Sequence, residues 1–486
     1  MGNMDLNEQL DHIFHPRTVA VVGASASPEK VGFRVVSNLL EAGFRGRVYP
    51  VNPGLAELFG LRAYPSISAI PGEIDLAVIA IPAELTIAAV KECMAKGVKG
   101  ALIISGGFSE VGTKTGASLQ AELRDLASKG GTKILGPNTQ GLVNPRLHLT
   151  ASFQSTLSLL KAGNVAVVTQ SGGLCIYIAH ALSNHNVGIS MAMGLGNRCG
   201  LDFEEVITYL AQDDETRVIA IYVEGLEQPK SLMRVAREVV KRKPIVAYKG
   251  GRGEGIDRAT LSHTGALAGR YELYKAAFAQ AGMITADNLT DMIDAIKALA
   301  FQPPSLGKRV AIFSVQAGPA IIMADKCHEY GLTLAQFPPA LKQRLKQLGS
   351  PLNAIDNPVD VGWKSDEFND CREMLRAVLE EDGVDGIVVG AVFLGSNMGL
   401  MRAVIDVAKD YKKPITVCLD SPHGTASAEI TALEESGIPT YPLPERAVTG
   451  LAALVKYGEI IRGDGGGGIR THGPSTEGQR FSRPSP

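Results

Sequence analysis

Along the chain, short runs of consecutive apolar residues alternate with longer stretches whose apolar positions recur every three or four residues. The runs read as strands buried on both faces, and the longer stretches as amphipathic helices. Thr18-Val-Ala-Val-Val22 is the first run, followed by Gly23-Ala-Ser-Ala-Ser27 and a helical pattern over 30–42. The same reasoning predicts strands at 47–51, 76–81, 101–105 and 133–135, with helices over 85–96 and 116–128 between them. Strand and helix alternating at this spacing mean βαβ units and a doubly wound parallel sheet.

That opening recurs twice. Gly163-Asn-Val-Ala-Val-Val-Thr-Gln-Ser-Gly-Gly173 and Gly307-Lys-Arg-Val-Ala-Ile-Phe-Ser-Val-Gln-Ala-Gly318 each run from a buried strand through small residues into a helical pattern. Strands at 165–169, 188–193, 218–223 and 244–249, with helices over 173–183, 202–212 and 229–242, fill out the second unit. The third shows strands at 310–314, 386–393 and 414–419 and helices over 319–330, 367–379 and 400–410. The predicted class is α/β: three doubly wound, Rossmann- or flavodoxin-like parallel-sheet domains at 1–148, 149–304 and 305–462. Residues 463–486 open on Gly-Asp-Gly-Gly-Gly-Gly, lack periodicity, and are expected to form a disordered tail.

Composition narrows the function classes. A chain of 486 residues is too long for one core, in keeping with three domains. Apolar content of 45% with 20% charged residues is that of a soluble globular protein. A net charge of −2 gives no global attraction to nucleic acid or to an acidic membrane. Six cysteines without CxxC spacing suggest neither a disulfide framework nor a zinc site. The nine histidines form no HxxxH or His/Cys cluster, so no metal site is expected. Asp5, Glu8 and Asp11 make the N-terminus unlike a signal peptide, and no apolar run reaches membrane-spanning length. A cytoplasmic protein is expected.

The candidate chemistry lies in the turns. Gly23-Ala-Ser-Ala-Ser-Pro-Glu-Lys-Val-Gly32 stands where a Rossmann fold puts its phosphate loop, with small residues that let backbone approach a pyrophosphate. It is not GxGxxG, and no acidic residue follows the second strand to hold a ribose diol. Val51-Asn52-Pro53 ends that strand instead, and Lys30 adds positive charge beside the loop. This argues against NAD and for another nucleotide-containing phosphate ester, the alternative being a tight turn with no ligand. Ile104-Ser-Gly-Gly-Phe-Ser-Glu110 and Gly136-Pro-Asn-Thr-Gln-Gly141 follow strands of the same sheet, where such sheets bind ligands, or are ordinary glycine turns. The stretch from Gly107 to Thr115 is no Walker A loop, because Thr113 separates Gly112 from Lys114.

Thr169-Gln-Ser171-Gly172-Gly173 and Ser314-Val-Gln-Ala317-Gly318-Pro319 each start a helix straight from a strand, which exposes unpaired N–H groups to an anion. Between them in sequence, the glycine-rich stretch from Lys249 to Gly269 carries one histidine, His263, flanked by Ser262 and Thr264. It reads as a place where a phosphate meets an imidazole that takes up and passes on the phosphoryl group. Glu224, at the end of the strand 218–223, is placed to accept one ring N–H of His263 and leave the other nitrogen nucleophilic. The alternative is a solvated strand-end carboxylate.

Together these residues resemble the nucleoside-diphosphate-forming acyl-CoA synthetases, relatives of succinyl-CoA synthetase. Gly136-Pro-Asn-Thr-Gln-Gly141, Thr169-Gln-Ser-Gly-Gly173, Ile221-Tyr-Val-Glu-Gly225 and Ser262-His-Thr-Gly-Ala-Leu-Ala-Gly269 occur in family order within a similarity running from Phe14 to Gly458. The resemblance implies that the first domain binds coenzyme A through Gly23, Ser25, Ser27, Lys30, Val51, Asn52, Pro53, Ser105, Gly106 and Gly107. It implies that His263 is phosphorylated with Glu224 in support, and that Ser171, Gly172, Gly173, Ala317 and Gly318 hold the phosphate. Asn138 and Thr139 are the acyl-substrate candidates. The implied cycle turns acyl-CoA and phosphate into acyl phosphate and coenzyme A, moves the phosphoryl group to the histidine, and delivers it to ADP or GDP. Family members use an ATP-grasp module for the nucleotide and Mg2+, and that module has no counterpart in this sequence. The chain therefore reads as an α-type subunit, or a truncated fused form, that forms an oligomer and works with an ATP-grasp partner on a carboxylic acid. Two other readings are a non-catalytic acyl-CoA-binding regulator and an NAD-binding dehydrogenase-like domain, the latter lacking its ribose-binding acid.

Overall fold

The computed structural model describes residues 6–251, 271–349, 356–392 and 398–463. Its first sheet comprises β1 (Thr18–Val22), β2 (Arg47–Val51), β5 (Leu76–Ile79), β6 (Gly100–Ile103) and β7 (Lys133–Leu135). These strands pair parallel in the order β2-β1-β5-β6-β7. Between β2 and β5 the small hairpin β3 (Glu57–Leu58) and β4 (Leu61–Arg62) stands apart as its own pair. The strands β5 and β6 are buried at every residue, which explains why they appear in sequence as unbroken apolar runs rather than alternations. Chain direction across the sheet reverses beside β1, so the loops after β1 and β5 border the crevice where such sheets take ligands.

The second sheet holds β8 (Gly141–Asn144), β9 (Leu149–Ser152), β10 (Ala162–Thr169), β11 (Ile189–Gly194), β12 (Val218–Val223), β13 (Ile245–Lys249) and β14 (Ile284–Ala286). Its order is β14-β13-β12-β10-β11-β8-β9. The strands β8 and β9 form an antiparallel hairpin, and β8 pairs antiparallel with β11. This corrects the expected boundary at 148/149, because β8 belongs to the second sheet. Each of these strands is four residues long and wholly buried, too short to show a period against the flanking loops. The third sheet runs β16 (Thr333–Leu334), β15 (Arg309–Ser314), β18 (Gly386–Val392), β19 (Ile415–Asp420) and β20 (Thr440–Tyr441), with β17 (Val359–Asp360) also on β15.

The three sheets share their cores. One apolar cluster joins Leu10, Val35 and Leu39 with Met193, Ile207 and Ile219, across the first and second sheets. Another joins Cys175, Ile178 and Ile296 with Ala320, Met323 and Leu451, across the second and third. The helix Leu289–Phe301 sits inside that second seam and is buried without a break from Met292 to Ala300, Asp294 and Lys297 included. Buried charges need partners. Lys297 Nζ donates to Glu434 Oε1 and to the Thr440 carbonyl at 2.6 Å, while Arg446 grips Asp294 at 2.7 and 2.9 Å. Desolvation pushes the Lys297 ammonium below its usual range.

His185 lies beside this network. Burial first, then the charges of Lys297 and Arg446 against that of Glu434, lower its imidazole to about 4. A histidine depressed in the folded state contributes its full stability above the unfolded pKa near 6.5 and loses it as pH falls toward 4. With the ring partly open to solvent, which screens these charges, the expected cost of acidification through that window is about 1–2 kcal/mol. Urea titrations at pH 7, 5.5 and 4.5 measure it, and His185→Gln should flatten the slope. An equally steep loss in the variant would assign the acid sensitivity elsewhere.

Candidate active site

The loop after β1 is held by close packing. Gly23 has φ +90°, and a Cβ placed on Gly32 would lie 1.9 Å from the Gly23 carbonyl oxygen, so the loop and the helix Val31–Glu41 touch through backbone. Asn52 is the strut between two loops: its Nδ2 donates to the Ala24 carbonyl at 2.6 Å, and its Oδ1 accepts the Gly54 N–H at 2.8 Å. Val51 contributes through its carbonyl, which accepts the Gly23 N–H at 3.0 Å, while its side chain is buried. Ser25 Oγ accepts the Ser27 N–H at 3.1 Å. Lys30 and Pro53 are exposed at the rim. A small-residue loop at a helix opening, with an exposed ammonium beside it, suits the phosphates of coenzyme A.

The loop after β6 is tied to the second domain. Glu110 Oε1 accepts the N–H groups of Gly107 and Phe108 at 2.6 and 3.1 Å, and its Oε2 accepts from Asn197 Nδ2 at 2.6 Å. Asn197 also donates to Gln120 Oε1 at 2.9 Å. Ser105 turns its hydroxyl onto the Ile81 carbonyl, and Gly106 is exposed. Asn138 has φ +56°, hydrogen-bonds the Ser105 carbonyl through its N–H at 2.9 Å, and approaches Asn197 Oδ1 at 3.4 Å. Gly106, Asn138 and Asn197 therefore meet where the two domains join. Thr139, the other acyl-substrate candidate, is held within the backbone of the same junction. It is 3% exposed, and its hydroxyl donates to the Gly194 carbonyl while accepting the Gly141 N–H at 3.2 Å. The polar atom that would greet a substrate is already engaged within the backbone.

Two helix openings lie at the carboxyl ends of β10 and β15. The helix Gly172–Asn184 follows Ser171, and the helix Ala317–Glu329 follows Gln316, neither with a side-chain cap. Their first-turn N–H groups are left without the usual capping partner. Among the described residues, a Cβ at Gly173 or Gly318 would meet nothing within 4 Å. Thr169 Oγ1 hydrogen-bonds the Ser171 carbonyl at 2.8 Å and steadies the turn.

Glu224 stands at the end of β12, 8% exposed, which removes the solvated-carboxylate alternative. Gln170 Oε1 accepts the N–H groups of Glu224 and Gly225 at 2.9 and 3.0 Å, coupling the turn before the first helix opening to the glutamate. Burial, then the Glu224 carboxylate that its hydroxyl contacts, raise the Tyr222 phenol. The Gly250 N–H bonds the Val223 carbonyl at 2.9 Å, so the chain leaves for the His263 stretch directly beside Glu224. His263 itself, with 252–270, lies outside the described residues, as does 464–486, most of the expected tail. Gln170, Glu110 and Asn197 were absent from the sequence-based candidates. Gln170 and Glu110 were quoted within their motifs without a role, whereas the side chain of Asn197 has only long-range partners.

All six cysteines are buried, and desolvation raises Cys93, Cys175, Cys199, Cys327, Cys371 and Cys418 to about 12, so none supplies a ready thiolate. Among the described residues no His, Cys, Asp or Glu cluster is placed to hold a metal ion, and no helix is long and apolar enough to cross a membrane. A cleft of about 1030 Å³ lies at the amino ends of β1, β2 and β5, against Arg17, Arg47 and Asp75, away from these loops.

Comparison with known proteins meets this geometry domain by domain. Residues 17–145 match the CoA binding domain, 162–299 the succinyl-CoA ligase like flavodoxin domain, and 310–461 the ligase-CoA domain. The chain is 37% identical over 468 residues to the acetate–CoA ligase (ADP-forming) II subunit alpha of Pyrococcus furiosus, covering 95% of this chain and 99% of that one. It belongs to the ADP-forming acyl-CoA synthetases. It is also 36% identical to the acetate–CoA ligase (ADP-forming) I of Archaeoglobus fulgidus, matching 93% of this chain but 64% of that longer synthetase. Among solved structures it resembles the dinucleotide forming acetyl-coenzyme A synthetase 1 of Ca. Korarchaeum cryptofilum in complex with phosphate and ADP. The TM-score is 0.86 at 33% identity, over 94% of this chain and 98% of that one. In synthetase terms, the match to the Pyrococcus subunit alpha runs nearly the full length of both chains, whereas about a third of the Archaeoglobus synthetase lies outside the matched part.

Proposed function

We propose that this chain is the coenzyme A-binding, phosphohistidine-carrying α-type subunit of an ADP-forming acyl-CoA synthetase. With an ATP-grasp partner it interconverts acyl-CoA, phosphate and ADP with carboxylic acid, coenzyme A and ATP. The observation that carries this reading is the pair of uncapped helix openings at β10 and β15, one of them coupled through Gln170 to the buried Glu224. Loops 23–30, 51–53 and 105–107 hold the coenzyme A moiety, and its thioester end reaches the seam between the first two domains at Asn138.

There a phosphate oxygen attacks the thioester carbonyl, the C–S bond breaks, and the thiolate leaves with a proton as coenzyme A. The helix N–H groups at 172–173 and 317–318 offset the negative charge on the phosphoryl oxygens. A ring nitrogen of His263 then attacks phosphorus in line, releasing the carboxylate, while Glu224 accepts the N–H of the other ring nitrogen. An ADP oxygen on the partner takes the phosphoryl group from the imidazole, with Mg2+ and nucleotide held by the ATP-grasp module. A carrier is required because acyl phosphate and nucleotide occupy different modules.

The test is ATP formation from acetyl-CoA, phosphate and ADP by the chain alone, by an ATP-grasp subunit alone, and by the two together. Turnover is expected only with both. Absence of turnover over a panel of acyl-CoA substrates, alongside protection from thermal unfolding by coenzyme A, would instead make the chain a regulatory binder. The cradle supports catalysis over that alternative, since a pure sensor has no use for open phosphate-facing helix ends beside a buried carboxylate.

A further inference from the structure

The phosphate-facing helices have opposite ends, and both lead to the buried charges in the seam between the second and third domains. Beyond Asn184 the first helix runs through His185 to Asn186, whose left-handed backbone (φ +55°) turns its Nδ2 onto Glu434 Oε2. The other Glu434 oxygen accepts from Lys297 Nζ and Thr440 Oγ1, and the Lys297 and Glu434 side chains are 2% and 3% exposed. One turn back along the Lys297 helix, Asp294 holds Arg446, and the Asp294 carbonyl accepts the Tyr441 hydroxyl at 3.0 Å. Arg446 belongs to the helix Pro444–Arg462, whose Thr449 Oγ1 meets the Tyr330 hydroxyl at 3.2 Å. Tyr330 directly follows the second phosphate-facing helix, Ala317–Glu329. One network thus anchors the rear of both helices.

Buried ion pairs add little net stability over apolar side chains of like size, and their best-attested use is fixing register. Apolar packing resists separation but permits sliding and tilt, whereas the directional bonds of Lys297, Glu434 and Asn186 do not. A helix of 13 residues is roughly 20 Å long, so a tilt of about 5° at the rear swings its opening by roughly 1.7 Å. Misplacement of about 1 Å costs on the order of 10²-fold in rate.

We propose that Lys297 and Glu434, with Asn186, are positioning residues for phosphoryl transfer: they hold the two helix openings in register from a helix length away. The inference rests on reading 171–173 and 317–318 as the phosphate cradle. The test replaces the pair together, Lys297→Met with Glu434→Leu, so that no buried charge is left unpartnered. Spin labels at Gly173→Cys and Gly318→Cys, where a Cβ meets nothing within 4 Å among the described residues while the native cysteines are buried, report the distance between openings.

The expected result is a melting temperature close to that of the parent, a label-to-label distance distribution broadened by at least about 1–2 Å, and turnover of the unlabelled double variant lowered about 10- to 100-fold. The KM for coenzyme A should stay unchanged. An unaltered distance distribution would overturn the proposal. So would a broadened one with unchanged turnover, or a turnover loss that merely follows the unfolded fraction. If the parent with its partner makes no ATP, the reading of the activity fails, and the distances alone still decide whether the pair sets register.

Discussion

His263→Asn should abolish incorporation of acid-labile, base-stable phosphate from ATP in the presence of the ATP-grasp partner. Overall turnover should fall on the order of 10⁴-fold or more, the scale of losing a covalent nucleophile. Asparagine keeps a polar side chain of moderate size on the loop but offers no ring nitrogen able to attack phosphorus. The half-reaction on the other side should survive, because in the proposed cycle phosphate at the helix openings attacks the thioester and the imidazole does not. Release of coenzyme A from acyl-CoA in the presence of phosphate is therefore expected to continue, limited by removal of acyl phosphate. Radiolabelling followed by acid and base treatment separates a phosphohistidine from a phosphoserine at Ser262. Label retained in the variant would move the carrier to another residue and sink the assignment.

Gly32→Ala should act on the opposite half of the cycle. Its new Cβ would fall 1.9 Å from the Gly23 oxygen, 2.6 Å from the Gly23 carbon and 3.0 Å from the Ala24 nitrogen, all backbone atoms that cannot rotate aside. The loop after β1 must lift off the helix. Overpacking of this kind costs about 1–3 kcal/mol in stability. The functional loss should be of similar size: the KM for coenzyme A is expected to rise about 10²-fold as the loop backbone leaves its place. Labelling of His263 from ATP should persist, because that half of the cycle makes no use of the first domain. Calorimetric titration with coenzyme A measures the first effect. An affinity like that of the parent would show that the ligand does not lie on this loop.

The strand-to-helix turns were legible in the sequence because each combines an unbroken apolar run with small residues. That combination marks 23–27, 171–173 and 317–318 equally, and the structure places a strand-to-helix turn at all three. What the sequence did not disclose depends on distance along the chain. Glu110 and Asn197 lie far apart in sequence, and nothing local in either segment reveals their 2.6 Å bond. Lys297 falls in a stretch whose apolar neighbours suggest an ordinary amphipathic helix, and its full burial is created by a helix from another domain. Thr139 was legible as a member of a glycine-flanked loop, but the engagement of its hydroxyl with the Gly194 carbonyl was not, since the side of a turn on which a hydroxyl falls is set by tertiary packing.

The hairpin β8–β9 has a consequence for protein engineering. Because it joins the second sheet, the crossover from the first domain is the loop 136–141 itself, which also walls the junction beside Asn138 and Asn197. On the proposed reading, in which the acyl group meets Asn138, a chimaera spliced ahead of that loop should exchange the coenzyme A grip and leave acyl preference with the recipient, whereas a splice beyond Ser152 should carry that preference with the graft. The seam is where a change of substrate and a change of module become separable operations.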